Sequence, residues 1–142
     1  MLTSDAARNK IAHAWSAAWD HGDVDALDAV LSPAYRRITS TGDNQGLAEF
    51  KASITATRSA FPDLSTTIDE IVIEGDRAAV RWHSTGNHRH SFLGVPATKR
   101  EVTVSGATFA RFEDEQIVEE FVTWDPRTLL SALGIISIGQ DS

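Results

Sequence analysis

No cysteine occurs among the 142 residues, which removes disulfides, thiolate nucleophiles and cysteinyl metal sites together. A reducing compartment permits such a composition. Lys and Arg form no stripe that could neutralise a phosphate backbone, and the formal charge is −7, from 20 acidic against 13 basic side chains. Nucleic acid is therefore not an expected partner. No apolar run approaches the roughly 20 residues needed to cross a bilayer, so no membrane partner is expected either. The opening MLTSDAARNK lacks the basic region followed by an apolar one that secretion needs, and cytoplasm is the expected compartment. Nucleophile elbow, phosphate loop and dinucleotide fingerprint are all missing. No cofactor is expected from a recognisable motif.

What the chain does have is a core. Apolar residues make up 42% and charged residues 23%, the composition of a globular protein, and a domain of this length buries roughly 68–70% of its unfolded surface. One domain spanning residues 1–142 is expected, with about 136–142 as a frayed tail. Ile11, Trp15 and Trp19 recur at helical spacing behind Ser4 as an N-cap, predicting a helix over 4–20. His21-Gly22-Asp23 breaks it. Val24, Leu27, Val30 and Leu31 then predict a short helix capped by Asp23 and ending at Ser32-Pro33. Tyr35 to Thr39 reads as a short strand, Thr41-Gly42-Asp43-Asn44 as a turn, and Leu47, Phe50, Ile54 and Phe61 as a third helical stripe closed by Pro62.

From Leu64 the period moves from 3.6 toward 2. Strands are expected at about 64–73, 77–91, 100–112 and 117–124, antiparallel and joined by turns, with the apolar connection Phe92-Leu93-Gly94-Val95-Pro96-Ala97-Thr98 between the second and third. A last helix starts at Pro126, carries Leu129, Leu130 and Leu133, and meets Gly134 at its C′ position. Helices first and a meander afterwards predict an α+β fold with helices covering one face of a strongly bent sheet.

Several constellations could carry chemistry. Along Ala79-Val80-Arg81-Trp82-His83-Ser84-Thr85, Arg81, His83 and Thr85 share one face and Trp82 and Ser84 the other. His83 is either a proton-transfer group or a histidine hydrogen-bonded within the sheet. His88 and His90, two apart, could point the same way, but two imidazoles without a third ligand make no zinc site, so no metal is expected. Asp125 before Pro126 has the pattern of a helix cap and is otherwise a candidate acid/base. Glu119 and Glu120 alternate, so at most one faces a cavity, where its pKa would rise. Trp15, Trp19, Trp82 and Trp124 suit a dry core or a flat aromatic ligand. Arg37, on the strand with Tyr35, is either a surface ion-pair partner or a fixed cation for an enolate or carboxylate.

The succession Phe61-Pro62-Asp63-Leu64, Glu74-Gly75-Asp76-Arg77, Val80-Arg81-Trp82, Thr85-Gly86-Asn87-His88, Phe92-Leu93-Gly94-Val95-Pro96-Ala97-Thr98, Val102-Thr103-Val104-Ser105-Gly106 and Ile117-Val118-Glu119-Glu120 resembles the SnoaL-like polyketide cyclase family along essentially the whole chain. The resemblance implies a nuclear transport factor 2-like cone of helices and curved sheet around an apolar cavity, and a homodimer. It implies aromatic polyketide biosynthesis, where members close a ring by aldol condensation with an aspartate as acid/base. Here the aspartate position falls on Val122 and a pocket histidine position on Thr108. Trp19, Arg37, Ser53 and Asp125 stand at other pocket positions. Valine cannot transfer a proton, which moves the expectation toward the family's branch that takes part in hydroxylating anthracycline-type polyketides. On that expectation Tyr35, Trp19, Ser53, Trp82, Thr108, Val122 and Trp124 line the substrate, Arg37 stabilises a phenolate or enolate, His83 or His88 moves the proton, and a reductase is a partner. A cyclase or isomerase using Asp125 or Glu120, and a binding or dimerisation module without chemistry, are the alternatives.

Overall fold

In the computed structural model, which describes residues 4–40, 42–92 and 94–134, the first apolar stripe forms helix α1 (Ser4–Trp15). Ile11 and Trp15 are one turn apart and both buried, as residues on one helical face must be. Ser4 is the first described residue of this helix. Past Trp15 the chain continues as one π-helical turn, Ser16–Asp20, carrying Trp19, and stops where Gly22 takes a φ of 76°, a left-handed conformation that glycine adopts without a Cβ clash.

The second expected helix is a 3-10 segment, Val24–Ala29, and Asp23 makes no side-chain cap. It ends before Ser32-Pro33, which belong instead to strand β1 (Leu31–Thr39). Pairing of β1 with its neighbour is irregular between Leu31 and Arg36, and an irregularity of this kind is where a sheet tolerates a proline. A short strand, β2 (Asn44–Gly46), occupies the end of the expected turn. Helix α2 (Leu47–Ala60) follows, burying Phe50 and Ile54, and Glu49 Oε1 accepts from the Gly46 N–H at 3.1 Å to satisfy one donor at its start.

The period-2 segments become β3 (Ser65–Glu74), β4 (Arg77–Asn87), β5 (Glu101–Glu113) and β6 (Gln116–Trp124). β4 stops four residues short of its expected end, leaving His88 and His90 in the connection. The six strands form one curved sheet in the order β2-β1-β6-β5-β4-β3. β1 and β6 run parallel and every other neighbouring pair antiparallel. Helix α3 (Pro126–Ala132) closes the described chain, with Gly134 at a φ of 79° just beyond it. The expected frayed tail, 136–142, lies outside the described residues.

The helices gather on one face of the sheet, α1 against β3, α2 against β1 and α3 against β5. Two apolar clusters result. One joins Ile11, Trp15, Leu27, Tyr35, Phe50, Ile54 and Ile117; the other joins Phe61, Leu64, Val102, Leu129 and Leu133. Between them the concave face is left open. No helix among the described residues is long and apolar enough to cross a membrane.

Candidate active site

The cavity between the two clusters measures about 410 Å³, within the range of small-molecule pockets. All four tryptophans, Trp15, Trp19, Trp82 and Trp124, contribute to its wall. Trp15 and Trp19 arrive together because they are four residues apart across the junction of α1 with the π turn. Trp82 comes from β4 with Ser84 and Gly86, and Trp124 from the end of β6. On β4 it is therefore the Trp82 and Ser84 face that looks inward.

Trp82 is held in place from two sides. Its Nε1–H donates to Thr108 Oγ1 at 3.1 Å, and Gly106 on β5 leaves room for its ring, since a Cβ there would lie 2.6 Å from it and 2.5 Å from the Thr123 carbonyl. Thr108 thus fixes an indole. Trp19 meets Phe50 edge to face at 6.1 Å between centroids, an arrangement favoured by aromatic quadrupoles, and its carbonyl accepts from Arg58 at 2.7 Å.

Only two ionisable side chains occur in the wall among the described residues, Arg37 and Asp43. Arg37 is 14% exposed. Its guanidinium carbon lies 4.3 Å above the Phe50 ring centroid, a cation–π contact, and its Nη1 is 3.4 Å from Glu120 Oε1. Tyr35 donates its hydroxyl to the same oxygen. This cluster follows from the sheet register: Arg37 and Glu120 are directly paired across β1 and β6, and Tyr35 shares the inner face of β1 with Arg37 by the two-residue repeat. Glu120 is 1% exposed. Burial drives its carboxyl above the ordinary carboxylate range, with Arg37 and the Tyr35 hydrogen bond opposing the shift only in part. Burial, and then the Glu120 charge, push the Tyr35 phenol upward, so Tyr35 remains a donor.

The expected site residues divide in two. Trp19, Arg37, Ser53, Trp82, Thr108 and Trp124 meet at the cavity. Tyr35 and Val122 do not reach its surface; Tyr35 is buried behind Arg37, and Val122 is buried beside Thr108 and Thr39, its partners in register. His83 is on the other face of the sheet, its Nδ1 2.9 Å from Asp69 Oδ2. The alternation that brings Trp82 in necessarily turns His83 out. His88 is fully buried, and its Nδ1 accepts from the Thr98 backbone N–H at 3.2 Å. It stacks on Phe61 at 5.2 Å, so the phenyl ring, which does line the cavity, is interposed on one side. His90 is exposed, so the two histidines do not converge. Asp125 is exposed and accepts from the Arg127 N–H at 2.9 Å as the cap of α3.

Sequence reasoning missed Asp43, Gln45, Phe61 and Phe92 as wall residues. The apolar character of the connection starting at Phe92 was a usable signal, and Phe61 stood in a helical stripe. Nothing marked Asp43 beyond its place in a turn.

A comparison with curated protein sequences returns no match. Among solved structures, TsrD from Streptomyces laurentii is 29% identical with a TM-score of 0.86, covering 96% of this chain and 100% of its own. AclR from Streptomyces galilaeus, a candidate hydroxylase, is 26% identical with a TM-score of 0.82, covering 94% and 99%. IdmH from Streptomyces antibioticus, a candidate polyketide cyclase, is 27% identical with a TM-score of 0.77, covering 90% and 98%. The α+β arrangement is the nuclear transport factor 2-like fold. The family model for SnoaL-like polyketide cyclases matches residues 9–133, nearly the whole described chain, and the protein belongs to that family.

Proposed function

We propose that the protein is a tailoring enzyme that binds an aromatic polyketide of anthracycline type in this cavity and takes part in its hydroxylation. The observation that carries the reading is a guanidinium set in a wall bearing all four tryptophans. Indoles accept a flat aromatic body, and a fixed cation in a poorly hydrated site stabilises an oxyanion that develops on it. Hydroxylation is favoured over aldol closure for two reasons. Val122 stands where the resemblance puts the cyclase acid/base, and the likeness to AclR extends over 94% of the chain. Molecular oxygen then supplies the new hydroxyl oxygen, and a reductase partner supplies the two electrons that, with two protons, turn the other oxygen into water. Arg37 holds the phenolate that makes the ring electron-rich. The test is purified protein with anthraquinone substrates, oxygen and a reductase: binding and a hydroxylated product are expected, and neither appearing would overturn the proposal.

Asp43 favours one second reading. Among the described residues it is the carboxylate in the cavity wall, so a ring closure or isomerisation would draw its base from the turn before β2 rather than from Asp125, which caps a helix, or Glu120, which lies behind Arg37. In that case Asp43→Asn abolishes ring closure while the fold is retained, and an unchanged rate rejects the idea.

We further propose a homodimer formed through the sheet face opposite the helices. Ile38, Phe121, Phe109, Ala79 and Val72 lie in register across five strands, and Phe109, Phe121 and Val72 are 55%, 48% and 54% exposed. The next row, Arg36, Glu119, Arg111, Arg77 and Glu74, mixes both signs. A patch with both signs beside an apolar row can complement itself across a two-fold axis.

A further inference from the structure

We infer that Arg37 is a receptor for the anionic group of an acidic aromatic ligand, and that filling it transfers a proton from solvent to the buried carboxyl of Glu120. This rests on the reading of the cavity as an aromatic-ligand site and specifies what that ligand carries. Three features of the geometry lead to it. Arg37 is the one cation of the described wall, so it is the place in that wall where an anionic group of a ligand can be held. It meets Glu120 through Nη1 alone and at 3.4 Å, the long end of hydrogen bonding, rather than in the bidentate clamp that would consume its planar fork. Glu120 is almost wholly buried: it is 1% exposed, and its Oε1 receives both Tyr35 and Arg37.

A ligand carboxylate at Arg37 would place a second anion a few ångströms from Glu120, against a largely apolar wall. Two such carboxyl groups do not both stay ionised; one takes up a proton. Glu120 is the one that yields, because burial already disfavours its charged form. Protonated, it releases the whole charge of Arg37 to the ligand and keeps the Tyr35 contact. The groups around it are few. β1 supplies Arg37 and Tyr35, β5 opposes it with Ala110, and Phe50 of α2 covers Tyr35 and Arg37. Among the described residues, Asp43 is the other titratable group of the cavity wall.

The sign follows by linkage. Binding that takes up a proton is strongest where the proton is plentiful, so affinity for the anion falls as pH rises, by at most tenfold per unit for one proton. Anthraquinone-2-carboxylate and its uncharged carboxamide are suitable probes, read by quenching of the wall tryptophans between about pH 6 and about pH 8.5, where the free carboxylate stays ionised. The carboxylate is expected to bind about tenfold or more tighter than the amide near pH 6, with the preference lost in Arg37→Met. Calorimetry of the unmodified protein in phosphate and in Tris should show different heats, the difference reporting proton uptake. Glu120→Gln should retain carboxylate binding and lose both the pH slope and the buffer dependence. Equal binding of the two probes, buffer-independent heats, or a pH slope removed by Asp43→Asn but kept in Glu120→Gln would each overturn the inference while leaving the aromatic site intact. If neither probe binds, the aromatic reading falls with it.

Discussion

At the residue scale the energetics centre on a carboxyl that the sheet has taken out of water. An isolated buried charge is costly, and a partner offsets that cost only when the geometry is good. The Arg37 contact is long and the Tyr35 contact is direct, so Glu120 keeps its raised pKa. The consequence for stability has a definite sign. Between the ordinary carboxylate value of 4.5 and the raised value of the folded state, the folded protein keeps this proton to a greater degree than the unfolded chain, so raising the pH across that interval favours unfolding. Urea unfolding at about pH 5 and about pH 8 should show wild type losing stability relative to Glu120→Gln on going up; a constant difference would contradict the assignment. Tyr35→Phe removes the hydroxyl that Glu120 relies on and should cost about 1–3 kcal/mol, measured in the same way. His88 illustrates the opposite case: its Nε2 has no hydrogen-bond partner among the described residues, and its place is secured by Phe61 stacking and the Thr98 N–H.

At the scale of elements, two substitutions separate structure from chemistry. Asp125 caps α3, whose Leu129 lines the cavity, so Asp125→Ala should cost about 0.5–2 kcal/mol without the loss of turnover expected of an acid/base. A stability loss with normal kcat identifies the cap; a collapse of kcat at normal stability would restore Asp125 as a catalyst. Gly106 on β5 is paired in register with Trp82 on one side and Trp124 on the other. Gly106→Ala forces a methyl against the Thr123 carbonyl and the indole, an overpacking worth about 1–3 kcal/mol, and should shift tryptophan emission because Trp82 and Trp124 both move. An alanine variant with unaltered stability and spectrum would contradict this packing.

At the scale of the molecule, the sheet divides two tasks between its faces. Helices and cavity occupy the concave side, and the row from Ile38 to Val72 is left on the other. If a second copy covers that row, the Phe109→Asp/Phe121→Asp variant should sediment as a monomer while the wild type sediments as a dimer. Its cavity should still bind the aromatic probe, because neither phenylalanine reaches the wall. A wild type that sediments as a monomer at micromolar concentration would contradict the interface.

Periodicity alone determined the α+β class, the order of elements and nearly every strand, because the pattern that makes a helix or a strand amphipathic is local in the chain. Two of the failures of that local reading have local causes as well. Ser32-Pro33 looked like a helix end because a proline in a bulged strand and one after a helix leave the same mark, and Asn44-Gln45-Gly46 has no apolar residue to announce β2. The alternation on β4 separated Trp82 from His83 but could not say which was inside, since that depends on where distant helices settle. Only the tertiary structure decided the site itself. Arg37 and Tyr35 meet Glu120 across 83 and 85 residues of sequence through a parallel pairing of β1 with β6 that no turn announces. A buried charge acquires its protonation state from neighbours in space, and those neighbours are set by register rather than by proximity along the chain.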